Sequence, residues 1–479
     1  MNFWEAFFAV VNILVICGTI LVILNSNSSS EKKVAWIALI AVIPILGIIL
    51  YIIFGLEMRS PKHYIQKHKK FIETFSASAN KEVTDRVFNT TASEHLDERY
   101  KGLSKMLSNS SGTPVYDGND VEIITSGQRK LEALLEDLEN AKDHIHMEYF
   151  HFRNDDGSKR VKQMLMKKAR DGVKVRFIHE NIANIDIAPM YFNEMKKAGV
   201  EVVKFTDLKM SLLKISAVLN YRNHRKIVVI DGKVGYMGGM NIGDNYFLRW
   251  RDTHMRITGP AVAGLQFSFL NTFITSGGVI KEDFLRLFPD NSHDTDKNKL
   301  IQVVPDEPDL PWPILNMGAS WVIENSAKYV YIQTPYFVPP EPLLQSLKTA
   351  ALCGKDIRIM LPKKPDSVYM GPANKAFYRE CLEAGIRIYE KTDTFLHSKT
   401  LVSDDSIAVI GSANFDHRSL DLSYEINSYI YDRDTAVECK EIFMKDTASC
   451  KEVTLEEWIK RPWYKRILEP IIQLFSPLL

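Results

Sequence analysis

The stretch YRNHRKIVVIDGKVGYMGGMNIGDNYFLRWRD (residues 221–252) determines how the rest of the chain is interpreted. Its polar residues recur later in the sequence at one constant offset of 173 residues, as 397 − 224 and 425 − 252 both show. The first copy has His224, Lys226, Asp231, Gly238, Gly239, Asn241 and Asp252, and the second has His397, Lys399, Asp404, Gly411, Ser412, Asn414 and Glu425. Packing alone does not preserve the spacing of so many polar positions, so the repeat indicates a catalytic unit that is present twice.

The residue types of one copy are suited to chemistry on a phosphodiester. Residues two apart in a strand project to the same face, so His224 and Lys226 present an imidazole and an ammonium side by side. Asn241 and Asn414 can donate amide hydrogens to an oxyanion. Displacement at phosphorus needs a nucleophile, a proton donor for the leaving oxygen and donors for the equatorial charge. Two facing copies supply all three, and a histidine nucleophile gives a covalent phosphohistidine.

Four carboxylates accompany the two motifs. Asp231 and Asp404 are counted with the catalytic motif residues, but they have the opposite strand parity to the histidine and lysine, so we expect them to brace the following turn rather than touch substrate. Asp252 and Glu425 follow the asparagines by eleven residues. They are suited to orient the imidazoles and to fix their tautomers.

Two charge-free runs near the N-terminus, residues 6–24 and 34–56, are each long enough to cross a bilayer, which takes about 20 helical residues. A cleaved signal peptide would need a basic start, whereas the only early charge is Glu5. A signal peptide would also leave the second run unexplained. We therefore expect residues 1–56 to form a transmembrane hairpin.

Positive charges predict the orientation of that hairpin. The short loop contains Lys32 and Lys33, and a larger group follows the second run, namely Arg59, Lys62, Lys67, Lys69 and Lys70. The positive-inside rule then places the N-terminus and the large C-terminal part in the cytoplasm of a multi-pass membrane protein. The basic group attracts anionic lipid headgroups, or it serves only as a topology signal.

Beyond a basic juxtamembrane segment and a linker with some helix (57–112), strands and helices alternate in two successive ranges, 113–295 and 296–448. Strands are predicted at 121–125, 144–152, 173–178 and 200–205, and again at 329–334, 356–361 and 386–390. Alternation of this kind predicts an α/β fold with sheets covered on both faces, in two halves that each carry one motif. Residues 449–479 mix tryptophans with lysines and arginines, which is typical of an interfacial tail or of a tail packed on the protein itself.

Composition excludes several classes of protein. Lys+Arg 60 against Asp+Glu 59 gives a formal net charge of +1, so no basic field points to nucleic acid. The five cysteines show no metal-ligand spacing and are expected to be thiols in a reducing compartment. The histidines form no recognisable ligand set, and the lysines can neutralise a phosphate. We therefore expect neither a metal nor another cofactor.

Both motifs match H-x-K-x4-D-x6-G-[GS]-x-N, the signature of the phospholipase D superfamily. The surrounding stretches WRDTHMRITGPAV, YIQTPYFVPP and IGSANFDHRSLDLSYEIN, together with the N-terminal hairpin, resemble bacterial cardiolipin synthases. The resemblance covers nearly the whole chain. It implies two tandem phospholipase D-like α/β/α domains related by a pseudo-twofold axis, preceded by a two-helix transmembrane hairpin.

The resemblance also implies a reaction, in which the phosphatidyl group of one phosphatidylglycerol passes to a second one and gives cardiolipin and glycerol. By similarity, His224 is the nucleophile and His397 is the general acid and later the base, with the reverse assignment open. The residues expected to hold the phosphate are Lys226, Lys399, Asn241, Asn414, Gly239 and Ser412. Because Gly239 replaces the serine of the second motif, hydroxyl contacts are expected to be asymmetric.

Three alternatives use the same sequence features. A membrane-anchored phospholipase D would hydrolyse phospholipid to phosphatidic acid with the same residues and water as acceptor. A nuclease of the superfamily conflicts with the two membrane spans and the near-zero net charge. A lipid-binding protein without activity would be expected to lack a histidine or lysine in one copy, and none is missing.

Overall fold

Helices and strands alternate along the computed structural model, which describes residues 3–26, 30–55, 61–205, 221–292, 297–367, 370–462 and 472–473. The strands are β1 (Val115–Ile124), β2 (His144–Tyr149), β3 (Lys174–His179), β4 (Glu201–Lys204), β5 (Lys226–Ile230), β6 (Val234–Gly238), β7 (His254–Thr258), β8 (Lys299–Asp306), β9 (Tyr329–Gln333), β10 (Phe337–Val338), β11 (Asp356–Pro362), β12 (Arg387–Lys391), β13 (Thr400–Ser403), β14 (Ile407–Gly411), β15 (Phe415–Asp416), β16 (Glu425–Tyr431) and β17 (Cys450–Val453). The α-helices are α1 (Phe3–Leu24), α2 (Ser30–Val42), α3 (Pro44–Leu50), α4 (Pro61–Ser78), α5 (Lys81–Phe88), α6 (Glu98–Ser111), α7 (Gly127–Asn140), α8 (Asp156–Arg170), α9 (Pro189–Lys197), α10 (Val262–Thr275), α11 (Phe284–Leu287), α12 (Ile314–Asn325), α13 (Glu341–Leu352), α14 (Met370–Ala376), α15 (Tyr378–Glu383), α16 (Arg433–Thr447) and α17 (Leu455–Ile459). Short π-helical turns lie at Tyr51–Gly55, Asn245–Arg249 and Arg418–Leu422.

The order of the strands repeats about the centre of the sheet. Neighbouring strands follow the order β17-β12-β11-β9-β13-β14-β16-β8-β1-β7-β6-β5-β2-β3-β4. Outward from the antiparallel pair of β1 and β8, the first half runs β1-β7-β6-β5-β2-β3-β4 and the second runs β8-β16-β14-β13-β9-β11-β12. Strands β6 and β14 correspond residue for residue at the offset of 173 found in the sequence. The prediction of two tandem α/β domains is confirmed.

Helices cover the sheet with apolar residues at helical spacing. In α7, Leu131, Leu134 and Leu138 are buried against the first half of the sheet, three and four residues apart. The helix begins where the side chain of Ser126 accepts a hydrogen bond from the backbone N–H of Arg129. The core strands β5 and β14 are buried along their whole length, as expected for strands covered on both faces.

Residues 61–111, where the sequence predicts a linker with some helix, form the packed helices α4, α5 and α6. Phe71 and Phe75 of α4 are buried and contact the ring of Phe267 in α10. Leu103 and Leu107 of α6 are fully buried in the core of the second half. Each helix of this segment buries one stripe of apolar residues. Polar residues separate these apolar ones in the sequence, so the average composition did not reveal the stripes.

The N-terminal segment also differs in part from the prediction. Among the described residues, α1 is the helix that is both long and apolar enough to span a bilayer. The second predicted span is divided, since α2 ends at Val42 and α3 begins at Pro44. Proline lacks an N–H and disfavours helical geometry at the preceding residue, which explains the break. One apolar helix is therefore confirmed, and the two-helix hairpin stays a prediction.

The first part of the predicted interfacial tail packs on the protein itself. Strand β17 extends the sheet by pairing antiparallel with β12, where Val453 lies opposite Ile388. Trp458 is buried, with its ring 4.9 Å from that of Tyr378. The sequence could not separate this arrangement from a membrane-facing tail, because an amphipathic aromatic residue suits both. Residues 463–471 and 474–479 of the predicted tail lie outside the described residues.

Candidate active site

The two motif histidines line one cavity between the two halves of the sheet. Its volume is 590 Å³, and its wall includes His224, His397, Asn241 and Asn414. Each histidine lies just before a strand, His224 two residues before β5 and His397 three residues before β13. The pseudo-symmetric strand order therefore brings residues that are 173 positions apart to one site.

Each histidine is paired with the carboxylate of the opposite motif. Nδ1 of His224 lies 2.8 Å from Oε1 of Glu425, and Nδ1 of His397 lies 2.6 Å from Oδ2 of Asp252. Both carboxylates are fully buried. Because a carboxylate accepts at Nδ1, that nitrogen carries the hydrogen and Nε2 is left as the unprotonated atom of a neutral ring.

Backbone hydrogen bonds hold this exchange of partners in register. The N–H of His224 donates to the carbonyl of Tyr424 at 2.9 Å, and the N–H of Tyr424 donates to the carbonyl of Arg222 at 2.7 Å. The second copy repeats the pattern, since the N–H of His397 donates to the carbonyl of Arg251 at 2.7 Å. In each half, the backbone carbonyl of the residue before the carboxylate thus accepts from the N–H of the histidine of the other half. We call this contact the backbone clamp.

The motif lysines are buried beside their histidines. Nζ of Lys226 donates to the carbonyl of His224 at 2.6 Å, and Nζ of Lys399 donates in the same way to the carbonyl of His397. Burial lowers the pKa of both ammonium groups, that of Lys399 to about 8, where Asp252 partly opposes the shift. An anion bound in the cavity would offset this loss of solvation and favour the charged lysines.

The pKa values of the two imidazoles are both lowered, which keeps them neutral at pH 7. Burial is the main cause at each, and the nearest motif lysine adds to it. For His397 the pKa falls to about 4, although Asp252 opposes the shift. Neutral imidazole is the form required of a nucleophile or a general base.

The two carboxylates differ in their own ionisation. Burial raises the pKa of Glu425 to about 7 despite the nearby Lys226. Burial also opposes the ionisation of Asp252, but Lys399 and His397 outweigh it, and the pKa of Asp252 is lowered. At neutral pH, His397 therefore faces a full negative charge and His224 faces a partial one.

The positions Gly239 and Ser412, expected to contact substrate, lie behind the carboxylates and outside the described cavity wall. Oγ of Ser412 donates to Oε2 of Glu425 and accepts from the N–H of Ile426 at 3.0 Å. A Cβ added at Gly239 would lie 2.1 Å from Oδ1 of Asp252. The serine supports one carboxylate, and the glycine leaves space for the other.

Asp231 and Asp404 lie at the far ends of β5 and β13, away from the histidines. The carboxylate of Asp231 accepts from three successive N–H groups that open β2, those of residues 142–144, at 2.8, 2.8 and 2.9 Å. Asp404 repeats this with residues 327–329 before β9. The two aspartates tie neighbouring strands together and do not face the cavity, so the motif position is structural in geometry.

The asparagines differ from each other in their hydrogen bonds. Oδ1 of Asn241 accepts from the backbone N–H of His151 at 3.1 Å, while its Nδ2 has no hydrogen-bond partner among the described residues. Asn241 is 1% exposed and belongs to the cavity wall. Asn414 also lines the cavity, with Oδ1 unpartnered among those residues.

Several residues of the site were missed by the sequence analysis. Tyr246 and Trp250 lie against the ring of His397, each with a centroid distance of 5.3 Å, whereas Phe150 lies 4.8 Å from the ring of His224. Arg225, between the motif histidine and lysine, is fully buried. The available signal was the comparison of the two copies, since Arg225 corresponds to a serine and Trp250 to another serine in the second copy.

One cluster of described residues has the composition of a metal site, but it lies outside the cavity wall. His68, Glu307 and Asp309 are buried with ligand atoms within 4.8 Å of one another. Arg225 contacts Glu307 at 3.0 Å and Lys67 contacts Asp309 at 3.0 Å. Two cations therefore already compensate the two carboxylates, which disfavours a further divalent charge.

Comparison with known proteins agrees with this geometry. The family described as "Cardiolipin synthase, PLD-like domain" matches residues 134–269 and 321–447, and the family "Phospholipase_D-nuclease N-terminal" matches residues 10–55. The chain is 34% identical to a cardiolipin synthase of Halalkalibacterium halodurans over 491 residues, covering 100% of this chain and 96% of that one. It is 35% identical to the major cardiolipin synthase of Bacillus subtilis over 482 residues, covering 98% of each.

Among solved structures, the phosphatidylserine synthase of Haemophilus influenzae has a similar fold. It matches with a TM-score of 0.57 at 15% identity and covers 79% of this chain and 100% of that one. The paired α/β halves, the doubled histidine motif and the full-length relatives lead to one conclusion. The chain belongs to the cardiolipin synthase family of phospholipase D-like proteins.

Proposed function

We propose that the protein is a bacterial cardiolipin synthase, a phosphatidyltransferase that uses phosphatidylglycerol as both donor and acceptor. The observation that carries the proposal is the pair of histidines facing one cavity, each with its Nδ1 on a buried carboxylate of the other half. This arrangement brings the Nε2 atoms of two imidazoles to one phosphodiester, with Nζ of Lys399 lying 3.2 Å from Nε2 of His397. The names of the full-length relatives support the substrate class.

In the first step, Nε2 of His224 attacks the phosphorus of the donor lipid. A P–N bond forms, the bond from phosphorus to the glycerol oxygen breaks, and His397 gives its proton to that oxygen. The negative charge of the bound phosphodiester favours the protonated form of His397, which the empty site disfavours. Glycerol leaves, and the phosphatidyl group stays on His224.

In the second step, the acceptor replaces glycerol beside the neutral His397. His397 removes the proton of a terminal hydroxyl of the second phosphatidylglycerol, whose oxygen attacks phosphorus. A P–O bond forms, the P–N bond breaks, and His224 returns to its neutral state as cardiolipin is released. The reaction is balanced without a metal or other cofactor, because each proton given by His397 in the first step is recovered in the second.

The electrostatics of the two carboxylates support this division of roles. Asp252, whose pKa is lowered, keeps a full negative charge beside His397 and stabilises the imidazolium that a general acid requires. Glu425, whose pKa is raised to about 7, leaves His224 less basic and available as a neutral nucleophile. The reverse assignment would put the proton on the imidazole with the weaker counter-ion.

We assign the binding of the phosphate to amides of the cavity wall and to the lysines buried beside the motif histidines. Lys226 and Lys399 approach from the two halves, and Nδ2 of Asn241 offers an unused hydrogen. These donors are fixed before the substrate arrives and are sheltered from water, which is the condition for strong stabilisation of equatorial charge. Asn414 completes the set from the second half.

We infer that the enzyme is anchored by the N-terminal hairpin, with the two domain ranges 113–295 and 296–448 in the cytoplasm beside anionic lipids. The break at Pro44 makes the second leg two short helices, which suits a bent passage. Cys353 is exposed in the second domain range, so its labelling reports on which side of the membrane that range lies. A membrane-impermeant maleimide should label it only after intact cells are opened, and labelling in intact cells would reverse the topology.

The proposed reaction is tested with purified protein in phosphatidylglycerol vesicles containing EDTA, with cardiolipin, phosphatidic acid and free glycerol all quantified. Equal amounts of cardiolipin and glycerol are expected, and none from His224→Ala. Phosphatidic acid without cardiolipin would make the protein a hydrolase with the same site. Absence of any lipid turnover, with cleavage of a nucleic acid instead, would overturn the substrate class.

A further inference from the structure

Helix α4, which follows the N-terminal membrane segment, carries a buried histidine that the proposed reaction does not use. His68 is 2% exposed. It lies on the same face of the helix as Phe71 and Phe75, which pack on Phe267 of the catalytic part. Burial of a polar side chain among apolar neighbours is costly unless its hydrogen bonds are satisfied, so its contacts require an explanation.

Both ring nitrogens of His68 face oxygen atoms that only accept hydrogens. Nδ1 lies 2.7 Å from Oδ1 of Asn271, and Nε2 lies 3.0 Å from Oε2 of Glu307 and 3.5 Å from Oδ2 of Asp309. The two carboxylates beside Nε2 favour the imidazolium form of the ring, although Nε2 meets them as ion-pair contacts and not as a well-aligned hydrogen bond among the described residues. The two carboxylates accordingly outweigh the effect of burial and raise the pKa of His68 to about 9.

The second oxygen of Glu307 leads to the active site. Its Oε1 accepts from Arg225 at 3.0 Å, and Nε of Arg225 donates to the backbone carbonyl of Glu425 at 3.0 Å. The side chain of Glu425 is the one paired with Nδ1 of His224. An unbroken series of charge-assisted contacts therefore joins α4 to the proposed nucleophile.

A parallel series reaches the residue before Glu425. Lys67 of α4 contacts Asp309 at 3.0 Å and lies 4.2 Å above the ring of Tyr424. The hydroxyl of Tyr424 donates to Asp309 at 3.3 Å, and its backbone carbonyl accepts from the N–H of His224 at 2.9 Å. Residues of α4 thus support the carbonyl of Glu425, through Glu307 and Arg225, and also the preceding residue Tyr424, through Asp309.

The other histidine has no such connection among the described residues. Position 398, equivalent to Arg225, is a serine that accepts from Arg251 at 3.1 Å. Arg251 holds the carbonyl of Asp252 at 2.6 Å and is itself tied to Asp446 of α16 at 3.3 Å. The buried charges on α4 therefore serve one histidine of the pair.

We propose that His68 is a positioning residue for the phosphoryl transfer at His224, acting through Glu307, Arg225 and Glu425. The inference rests on the proposed nucleophilic role of His224. The imidazolium holds Glu307 in the position that fixes Arg225, and Arg225 fixes the backbone of Glu425. Docking of the membrane-proximal helix thereby becomes a condition for an aligned nucleophile.

The test compares four full-length variants in phosphatidylglycerol vesicles. His68→Gln removes the charge and should lower kcat by about tenfold with KM unchanged, since His68 does not line the cavity. His68→Lys restores a cation and should recover part of the loss. Lys67→Met, at a half-buried position, should lower kcat by up to about fivefold. Phe71→Leu, on the same helix face, should lower the thermal midpoint and leave kcat unchanged.

A second measurement needs no lipid turnover. Carbethoxylation of His224 by diethyl pyrocarbonate, followed by mass spectrometry, reports the nucleophilicity of the imidazole, and His68→Gln should slow it while Phe71→Leu does not. Equal rates in wild type and His68→Gln would overturn the inference, as would equal losses of kcat in His68→Gln and Phe71→Leu. A wild type that makes no cardiolipin would overturn the proposed function, and the carbethoxylation rates would still decide this inference. A stoichiometric divalent metal that His68→Gln loses would also overturn it, because His68 would then bind a cation and could not be the imidazolium.

Discussion

The active site has two half-sites that share a motif, a backbone clamp and a carboxylate from the opposite copy. The His224 half-site consists of His224, Glu425, Ser412 and Arg225. The His397 half-site consists of His397, Asp252, Gly239 and Arg251. They differ in what stands behind that carboxylate. Glu425 accepts from a serine hydroxyl, whereas Oδ1 of Asp252 accepts from the backbone N–H of Thr253 at 2.7 Å in space left by glycine. The first carboxyl has a raised pKa and the second a lowered one.

This difference shows how one duplicated motif can serve two tasks. The sequence pattern sets the positions of the imidazoles equally in both copies. The neighbours of each carboxylate then decide how much negative charge each imidazole meets, and so which ring is the better proton donor. Division of labour at this site is encoded at the positions where the two copies differ, such as Gly239 and Ser412.

The largest expected effect comes from removing either histidine, and the two losses should differ in kind. His224→Ala removes the nucleophile and should abolish the covalent intermediate with every substrate. His397→Ala removes only the proton donor and should slow transfer from phosphatidylglycerol by about 10²- to 10⁴-fold. With a p-nitrophenyl ester, whose leaving group needs no proton, His397→Ala should retain a burst of p-nitrophenol. A burst in His224→Ala and none in His397→Ala would reverse the roles.

A serine at position 239 should damage the His397 half-site next most strongly. The added Cβ would overlap Oδ1 of Asp252, so the carboxylate must move away from His397. Displacement of a catalytic partner by about 1 Å can cost roughly 100-fold in rate. We expect a loss of kcat of that order in Gly239→Ser, measured in vesicles at a temperature where circular dichroism shows a folded protein. Wild-type kcat would show that Asp252 does not need its present position.

The sequence predicted the fold well where regular patterns report on buried faces. Alternating apolar runs placed the strands and the helices between them, because burial on two faces leaves a clear signal. At α4, α5 and α6 it indicated only a linker with some helix, because buried residues such as Phe71 are isolated among polar ones. It also extended one apolar run through Pro44, because hydropathy does not register the missing N–H.

For the site, the motif residues were found but their partners were not. Sequence spacing indicated that Asp252 and Glu425 serve imidazoles, yet it could not show that each serves the opposite copy. That exchange depends on how two halves meet, which local periodicity does not encode. The same limit explains the roles first expected for Gly239 and Ser412, whose contacts are with carboxylates and not with the cavity.

The pH dependence should separate the two carboxylates. The pKa of Glu425 is raised to about 7, so it becomes charged as pH rises through this value and then stabilises the positive ring formed when His224 attacks phosphorus. Activity should therefore rise through about pH 7. Glu425→Gln should lose this rising limb and about tenfold of kcat at pH 8.

Asp252→Asn is the matched control for that limb. The pKa of Asp252 is lowered, so the wild-type aspartate is charged across the neutral range. The variant should lower kcat at every pH and keep the rise near pH 7. Loss of the limb in Asp252→Asn, with a normal limb in Glu425→Gln, would place the titrating carboxyl in the other half-site. Above pH 8 the activity should fall as Lys399, with its pKa lowered to about 8, loses its charge.

The smallest expected effect tests the serine that stands behind Glu425. Oγ of Ser412 donates to Glu425 and so favours its charged form. Ser412→Ala removes a hydrogen bond of about 1 kcal/mol, which should raise the pKa of Glu425 further and move the rising limb to higher pH by about 0.7 unit. At pH 7 kcat should fall by a few fold, and well above the limb it should approach the wild-type value.

Ser403→Ala separates this electrostatic effect from a general loss of stability. Ser403 is also buried in the second half and donates one hydrogen bond, to the carbonyl of Tyr329 at 2.9 Å, without contact to either half-site. Both alanine variants should lower the thermal midpoint by a similar amount, but only Ser412→Ala should shift the limb. If the two variants have the same pH profile, Ser412 does not tune Glu425. The contrast between the half-sites would then have to arise from the remaining influences on the two carboxyl groups, which are burial, the lysines, Ser419 beside Glu425, and His397 and the Thr253 N–H beside Asp252.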